Sequence, residues 1–440
     1  MKDSSRDREH YVSALIHKSF YHDERLDTPT VIKAYDKIEK ILLKSSYLTC
    51  ITIQIDQLSD IEYLYGSSTY NALLGETKEV IREMRERYFR SEDIFLVDLF
   101  ENDTFIIFLA EPRNEETKIL NHLDRIVTRA EQSIEKRIFN LLFPYTKEYA
   151  KPSVGYALVI NNPMINNMRL IMQLISSSKR MGHFMAEKSA YRSRYLLQKV
   201  ILEKDITSVF QPIVNLKTLD VLGYEALSRG PRDSVFSNPF LMFLLAAEYG
   251  LSFELDSICR AKAFESARAL DSDKKIFVNT LAMTIHDPEF RGAYLEKLFE
   301  DMKIKPENVV FEINEKVAIA NYELFRSSLK DYSDIGIVHA SDDVGTGYSD
   351  LERIMELQPG FMKVDISLVR DLHNSHIKQE IIKAMVSLAK GLNSEIVAEG
   401  IESAEEFEAL KTLGVTYGQG YLFGRPAEKL VSVDKGFLKK

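Results

Sequence analysis

The chain of 440 residues is 45% hydrophobic and 28% charged, with a formal net charge of −9, a balance that fits two or three folded domains and excludes a disordered chain. The acidic balance argues against general binding to nucleic-acid polymers or anionic membranes. Two cysteines exclude a disulfide framework, and the longest apolar stretch, Phe240 to Ala247, is too short for a membrane span. With no secretory signal at the start, the chain reads as cytoplasmic.

Residues 1–35 are charged and partly helical in character, with "YVSALIHKSF" as their apolar cluster, and read as a linker or docking segment. Residues 36–185 read as a compact α/β domain. "YLTCITIQI" has the β-branched content of a buried strand, "TYNALLGETKEVIREMRERYF" has helical spacing, "DIFLVDLFENDTFIIFLAEP" reads as a hairpin and "YAKPSVGYALVI" supplies a further strand. A charged helical stretch, 186–204, links this domain to the rest. From 205 to 440 a strand, turn, helix rhythm repeats through "VLGYEAL", "KIFVNT", "NVVFEIN", "GIVHASD", "GFMKVD", "SEIVAEG" and "YGQGYLF". About eight such units fit a parallel (β/α)8 TIM-like barrel.

Polar residues stand where these strands end. Glu225, Asn279, Glu312, the pair Asp342 and Asp343, and Glu399 close successive apolar runs, and Lys363 and Gln419 lie within two more. Singly, each reads as a rim residue or a turn. The C-terminal ends of parallel barrel strands point to one face, so residues nearly 200 positions apart converge on one pocket. Several carboxylates and a carboxamide, with no His or Cys among them, select two hard divalent cations, Mg2+ or Mn2+. A carboxylate pair can bridge two ions about 3.5–4 Å apart, the spacing of in-line phosphoryl displacement.

These stretches resemble the EAL family of cyclic-di-GMP phosphodiesterases over residues 203 to about 428. "FQPIVNLKTLDVLGYEALSRG" carries the name-giving Glu225-Ala226-Leu227, and "FVNT", "FEINE", "SDDVGTGYSDL", "MKVD", "VAEGIE" and "YGQGYLFGRP" follow in the family's order. The resemblance implies that Glu225, Asn279, Glu312 and Asp342 bind a first metal and that Asp342, Asp343 and Glu399 bind a second. Cyclic-di-GMP would be opened to linear pGpG, with Lys363 positioning the attacking water or stabilising the phosphoryl group. Gln211 and Arg229 would contact substrate, Gln419 would support the pocket, and Glu315 would hold the loop after "DDVGTG". A homodimer through the barrel is implied as well. The departures are Ser228 and Gly230 around Arg229, Asn314 and Val344, none of them a metal ligand.

Residues 36–185 resemble a degenerate GGDEF domain, a nucleotidyl-cyclase-like α/β fold. Gln54 replaces the first metal aspartate, with Asp56 aligned to a later one, and Glu62, Tyr63 and Ser67 replace other polar positions. The signature reads Glu101-Asn102-Asp103-Thr104-Phe105, without the glycines or the second acid. Diguanylate cyclase activity is not expected. "KRMG", Lys179 to Gly182, resembles the family's closing segment. "RSED", Arg90 to Asp93, has the form of the inhibitory site but reads better as a charged loop, since its spacing to the signature differs. A catalytically silent cyclic-di-GMP receptor is the alternative to hydrolysis, and a pure scaffold is a third reading.

Overall fold

A computed structural model describes residues 22–23, 26–45, 47–98, 103–110, 119–268, 270, 273–287, 290, 292–314, 322–344, 354, 357–430 and 433. The chain divides into two compact units, Met1–Tyr195 and Leu196–Lys440.

The first unit holds a short antiparallel pair, β1 (His22–Asp23) and β2 (Thr28–Pro29), and a four-stranded sheet. Its strands are β3 (Tyr47–Gln54), β4 (Ile94–Val97), β5 (Thr104–Phe108) and β6 (Ser153–Ile160), in antiparallel order β4-β5-β3-β6. Because side chains alternate along a strand, β3 and β5 build two cores. Ile51, Ile53, Phe105 and Ile107 face the helices Gln57–Tyr65, Ser67–Tyr88 and Ile119–Thr146. Cys50, Ile106 and Phe108 face Val31–Ser45 and the first half of Asn167–Leu202.

Two expected boundaries fall inside helices. Ala34, Ile38 and Leu42 recur every fourth residue and bury one face of Val31–Ser45 in this core, so position 35 lies within a helix. The 186–204 stretch is not a separate helix either. Asn167–Leu202 runs without interruption, and no proline breaks it.

In the second unit eight strands close a barrel: β7 (Thr207–Asn215), β8 (Val221–Arg229), β9 (Lys275–Leu281), β10 (Val309–Asn314), β11 (Val338–Val344), β12 (Phe361–Val364), β13 (Glu395–Ala398) and β14 (Tyr417–Gln419). The expected all-parallel arrangement needs one correction. β7 runs antiparallel to both of its neighbours, β8 and β14. The reason is local: β7 and β8 are joined by a tight turn in which Asn215 Oδ1 accepts the N–H groups of Lys217 and Thr218. A connection this short makes a hairpin and cannot hold a crossover helix.

Inside the barrel, Ile213, Phe277, Val310, Ala340, Phe361 and Val397 form one apolar layer, with the Phe277 and Phe361 rings packed edge to face at 5.2 Å. The helices pack against the outward-facing residues. Their ends carry ordinary signals, as in Ala404–Leu413, where Ser403 and Glu406 cap each other's backbone and Gly414 ends the helix.

Candidate active site

The period of two along a strand places the polar residues directly above that apolar layer. Asn279, Glu312, Asp342, Lys363 and Glu399 each lie two residues after a member of it, and Gln211, on the antiparallel strand, lies two residues before Ile213. Register carries the pattern across strands. Gln211 pairs with Glu225, and Glu312 with Asn279. The positions expected to converge are therefore brought to one end of the barrel.

Lys363 is 1% exposed and lies among four carboxylates. Its Nζ is 2.6 Å from Glu399 Oε1, 2.9 Å from Glu312 Oε1, 3.3 Å from Asp342 Oδ1 and 3.5 Å from Glu225 Oε2. A polar chain continues from Glu225. Asn279 Nδ2 donates to its Oε1 at 2.9 Å and Gln419 Nε2 to its Oε2 at 2.7 Å. Gln419 also donates to Gln211 Oε1 at 2.9 Å, and Gln211 donates to the Gly424 carbonyl at 3.1 Å. The surface salt bridge that Lys363 could have made is thus a fully buried one.

One ammonium among four carboxylates leaves a large excess of negative charge in a low-dielectric place. The titration of each group follows. Burial opposes the charge on Lys363, but Asp342, Glu225, Glu312 and Glu399 together hold it protonated well above its ordinary range. Burial, with Glu225, drives Glu312 well above the usual carboxylate range, although Lys363 pulls it down. Burial likewise raises Glu399, to about 8, against the pull of Lys363. Glu225 is the exception: burial would raise it, but Lys363 and the hydrogen bonds from Gln419 and Asn279 outweigh burial and hold it below its ordinary value.

Asp342 and Asp343 sit at an irregularity. Ser341 pairs with Met362 and Val344 with Val364, so the two aspartates together stand opposite Lys363. One extra residue on β11 makes this a bulge, which re-aims side chains at a strand end. The side chain of Asp343 lies outside the described residues, as do Glu315 and the loop after Gly347. Two glycines fix the neighbouring turns. Gly400 follows Glu399 with φ +68, in contact range of Ile366, and a Cβ on Gly420, after Gln419, would stand 2.1 Å from the Ile401 carbonyl oxygen.

Arg229, at the end of β8, is partly buried and donates from Nη1 to the Ser228 carbonyl at 2.8 Å. Burial lowers its pKa, against the pull of Glu225 and Tyr421. Tyr421 itself lies under the Arg425 guanidinium, 4.1 Å from the ring centroid. That pair, and the buried Arg260 with Asp256 and Asp287, escaped the sequence reading. The four-residue spacing of Asp256 and Arg260 on one helix was the available signal.

In the first unit two acids are engaged with bases. Lys179 pairs with Asp98 at 3.0 Å, and His183 Nδ1 lies 3.5 Å from Asp56. Gln54 and Thr104 are buried opposite one another. Asp93 accepts the Arg90 N–H and the Ala110 N–H, both at 2.9 Å, so both its oxygens brace the loop. Glu62 accepts the Ser67 hydroxyl, and Tyr63 is exposed. Glu101 and Asn102 lie outside the described residues.

Fold and site together define a closed barrel with an acidic, lysine-centred polar end. The EAL domain profile matches residues 195–426, and the chain belongs to the EAL domain family. It is 31% identical over 226 residues to the "Probable cyclic di-GMP phosphodiesterase PdeA" of Escherichia coli strain K12, covering 50% of this chain and 30% of that protein. An "Uncharacterized protein sll1895" of Synechocystis sp. is 26% identical over 433 residues, covering 93% of this chain and 60% of that one. The chain thus spans less than two thirds of either relative. Among solved structures, the Xanthomonas citri FimX EAL domain in complex with c-diGMP aligns with a TM-score of 0.51 at 18% identity, over 56% of this chain and 99% of that one, and shares the fold. No helix among the described residues is long and apolar enough to cross a membrane.

Proposed function

We propose that the barrel hydrolyses cyclic-di-GMP to linear pGpG with the help of two divalent cations, Mg2+ or Mn2+. The observation that carries this reading is the set of four carboxylates around the buried Lys363. Among the described residues no three of His, Cys, Asp and Glu are gathered closely enough to share an ion. The donor set nevertheless fits. It is all oxygen, and Glu312 Oε2 is buried without a hydrogen-bond partner among the described residues while Oε1 meets Lys363. Glu225, Asn279, Glu312, Asp342, Asp343 and Glu399 are the residues that would hold the ions. Bound there, the ions would supply Lewis-acid activation of water and of the phosphodiester.

The chain's own residues do the rest. Lys363 keeps a positive charge at the floor of the site, where negative charge grows on the phosphoryl oxygens. Glu399, which would be ionised once the cations are bound, would accept the proton that the attacking water gives up. Gln419 and Gln211 fix the Glu225 carboxylate through their hydrogen bonds. Arg229, on the same strand as Glu225, is the group for the substrate phosphate. The first unit is a GGDEF-like domain without cyclase activity, in a regulatory or structural role, and the barrel forms a homodimer.

The test is direct. Purified protein with Mn2+ or Mg2+ should convert cyclic-di-GMP to pGpG, and Asp342→Asn should abolish turnover. Tight binding of cyclic-di-GMP with no turnover in either metal would overturn hydrolysis in favour of a receptor.

A further inference from the structure

Between Gly182 and Leu197 the helix Asn167–Leu202 buries no residue, and burial resumes only at Leu197 and Val200. One face presents large side chains to water: Met181 is 38% exposed, Phe184 59%, Tyr191 65% and Tyr195 65%. Single exposed hydrophobics are ordinary, but several on one helix face mark an interaction surface. The spacing of the row is specific. Met181, Phe184, Lys188, Tyr191, Tyr195 and Gln198 follow at alternating steps of three and four residues, the heptad of a coiled-coil seam. The helix makes its core contacts before and after this exposed stretch, so the seam is surplus to its own fold.

We infer that the seam pairs with the same seam of a second copy of this chain, in an antiparallel two-helix contact. Charge selects both the partner and the direction. In a parallel pair Lys188 would face its own copy, ammonium against ammonium. An antiparallel pair about a twofold axis between residues 189 and 190 sets Lys188 over the partner's Tyr191, a cation over a ring face. It also sets Phe184 against the partner's Tyr195 and the flanking Glu187 beside the partner's Arg194. Glu187 and Arg194 are both exposed, and the twofold axis makes every one of these contacts twice. The pattern is its own complement, which is the property a self-association surface needs. This inference stands independently of the proposed hydrolysis.

Sedimentation of the full chain over a range of concentrations, combined with directed cross-linking, tests it. Phe184→Glu and Tyr195→Glu should each raise the dimer dissociation constant by about tenfold or more, with helical circular dichroism unchanged because both sites are exposed. Lys188→Cys and Tyr191→Cys proteins, mixed and mildly oxidised, should form the mixed disulfide, and neither should cross-link alone. Cys50 and Cys259 are buried and do not compete. A chain monomeric at every concentration would overturn the inference. So would a dimer indifferent to the glutamates, as a barrel-only contact predicts, or a disulfide formed by Lys188→Cys alone, which requires the parallel pair.

Discussion

Lys363 Nζ lies 3.3 Å from Asp342 Oδ1, across the bulge at which β11 sets two aspartates against this one lysine. In a regular strand two adjacent side chains point to opposite faces. An extra residue at this point frees the strand from strict alternation just where the apolar layer gives way to the polar end. The backbone of β11 therefore breaks its pleat at Asp342 and Asp343, and the Asp342 carboxylate meets the buried cation that offsets part of the site's charge.

Removing that cation should be costly. Lys363→Met leaves Glu225, Glu312, Asp342 and Glu399 without their shared buried counter-charge. Breaking a buried ion cluster on one side costs about 3–5 kcal/mol. Urea denaturation of the metal-free protein should show a loss of that order, and added Mn2+ should recover part of it. Turnover of cyclic-di-GMP should fall about a hundredfold or more. A variant as stable as the parent without metal would show that the carboxylates relieve one another by protonation alone.

Glu399 gives a pH signature in the metal-free state. Its pKa of about 8 in the folded protein exceeds the ordinary value of 4.5. The folded state therefore binds the extra proton between those limits, so the group's contribution to stability is full below 4.5 and is lost as pH rises through 8. Thermal unfolding in the presence of a chelator should show the melting temperature falling across that window, and Glu399→Gln should flatten the decline. Divalent cations should oppose it, since they favour the ionised carboxylate. A melting temperature that rises across the window in the parent, or a decline that Glu399→Gln leaves intact, would contradict this account.

His339 acts in the opposite direction. It is 5% exposed on β11, with its ring edge-on to Tyr332, and burial lowers its pKa to about 4 from 6.5. A histidine kept neutral by the fold must charge on unfolding in acid, so its contribution holds above 6.5 and disappears as pH falls through 4. The cost over that window is about 3 kcal/mol. His339→Leu should make the protein less sensitive to acid between pH 6.5 and 4, as measured by chemical denaturation at a series of pH values. An unchanged acid slope would show that His339 takes up its proton without leaving the fold.

How much of this was legible beforehand follows from what each residue reports about itself. The barrel polar set could be read because strand ends in a barrel share one face, so Glu225, Asn279, Glu312, Lys363 and Glu399 needed only strand assignments to be brought together. The reversal of β7 was not read, because "FQPIVNL" looks the same in either direction and only the short turn at Asn215 decides it. The continuity of Asn167–Leu202 was missed because its charged second half resembles a solvated linker. The apolar seam there is visible only once the stretch is known to be an exposed continuous helix. The bulge at Asp342 depends on the register of β12, which a sequence does not print.

Arg260 escaped for a related reason: a charged residue on a helix is ordinarily read as solvated. It is fully buried. Nε lies 3.0 Å from Asp256 Oδ2, Nη2 lies 2.8 Å from Asp287 Oδ2, and the guanidinium carbon is 4.0 Å from the Phe290 ring centroid. Asp256 in turn accepts the Leu281 N–H at 3.3 Å and the Thr284 hydroxyl at 2.5 Å. Burial raises the Asp256 pKa, and Arg260 is the main force holding the proton off. The cluster thus clamps the turn that leaves β9 two residues beyond Asn279. Arg260→Met should destabilise the protein by about 3–5 kcal/mol, because it strands two buried carboxylates. Arg260→Lys keeps the charge but cannot reach both aspartates with one planar fork, so its loss should be intermediate. Equilibrium denaturation of the two variants orders them, and a loss below about 1 kcal/mol for Arg260→Met, the range of an exposed pair, would show that the aspartates do not depend on this guanidinium.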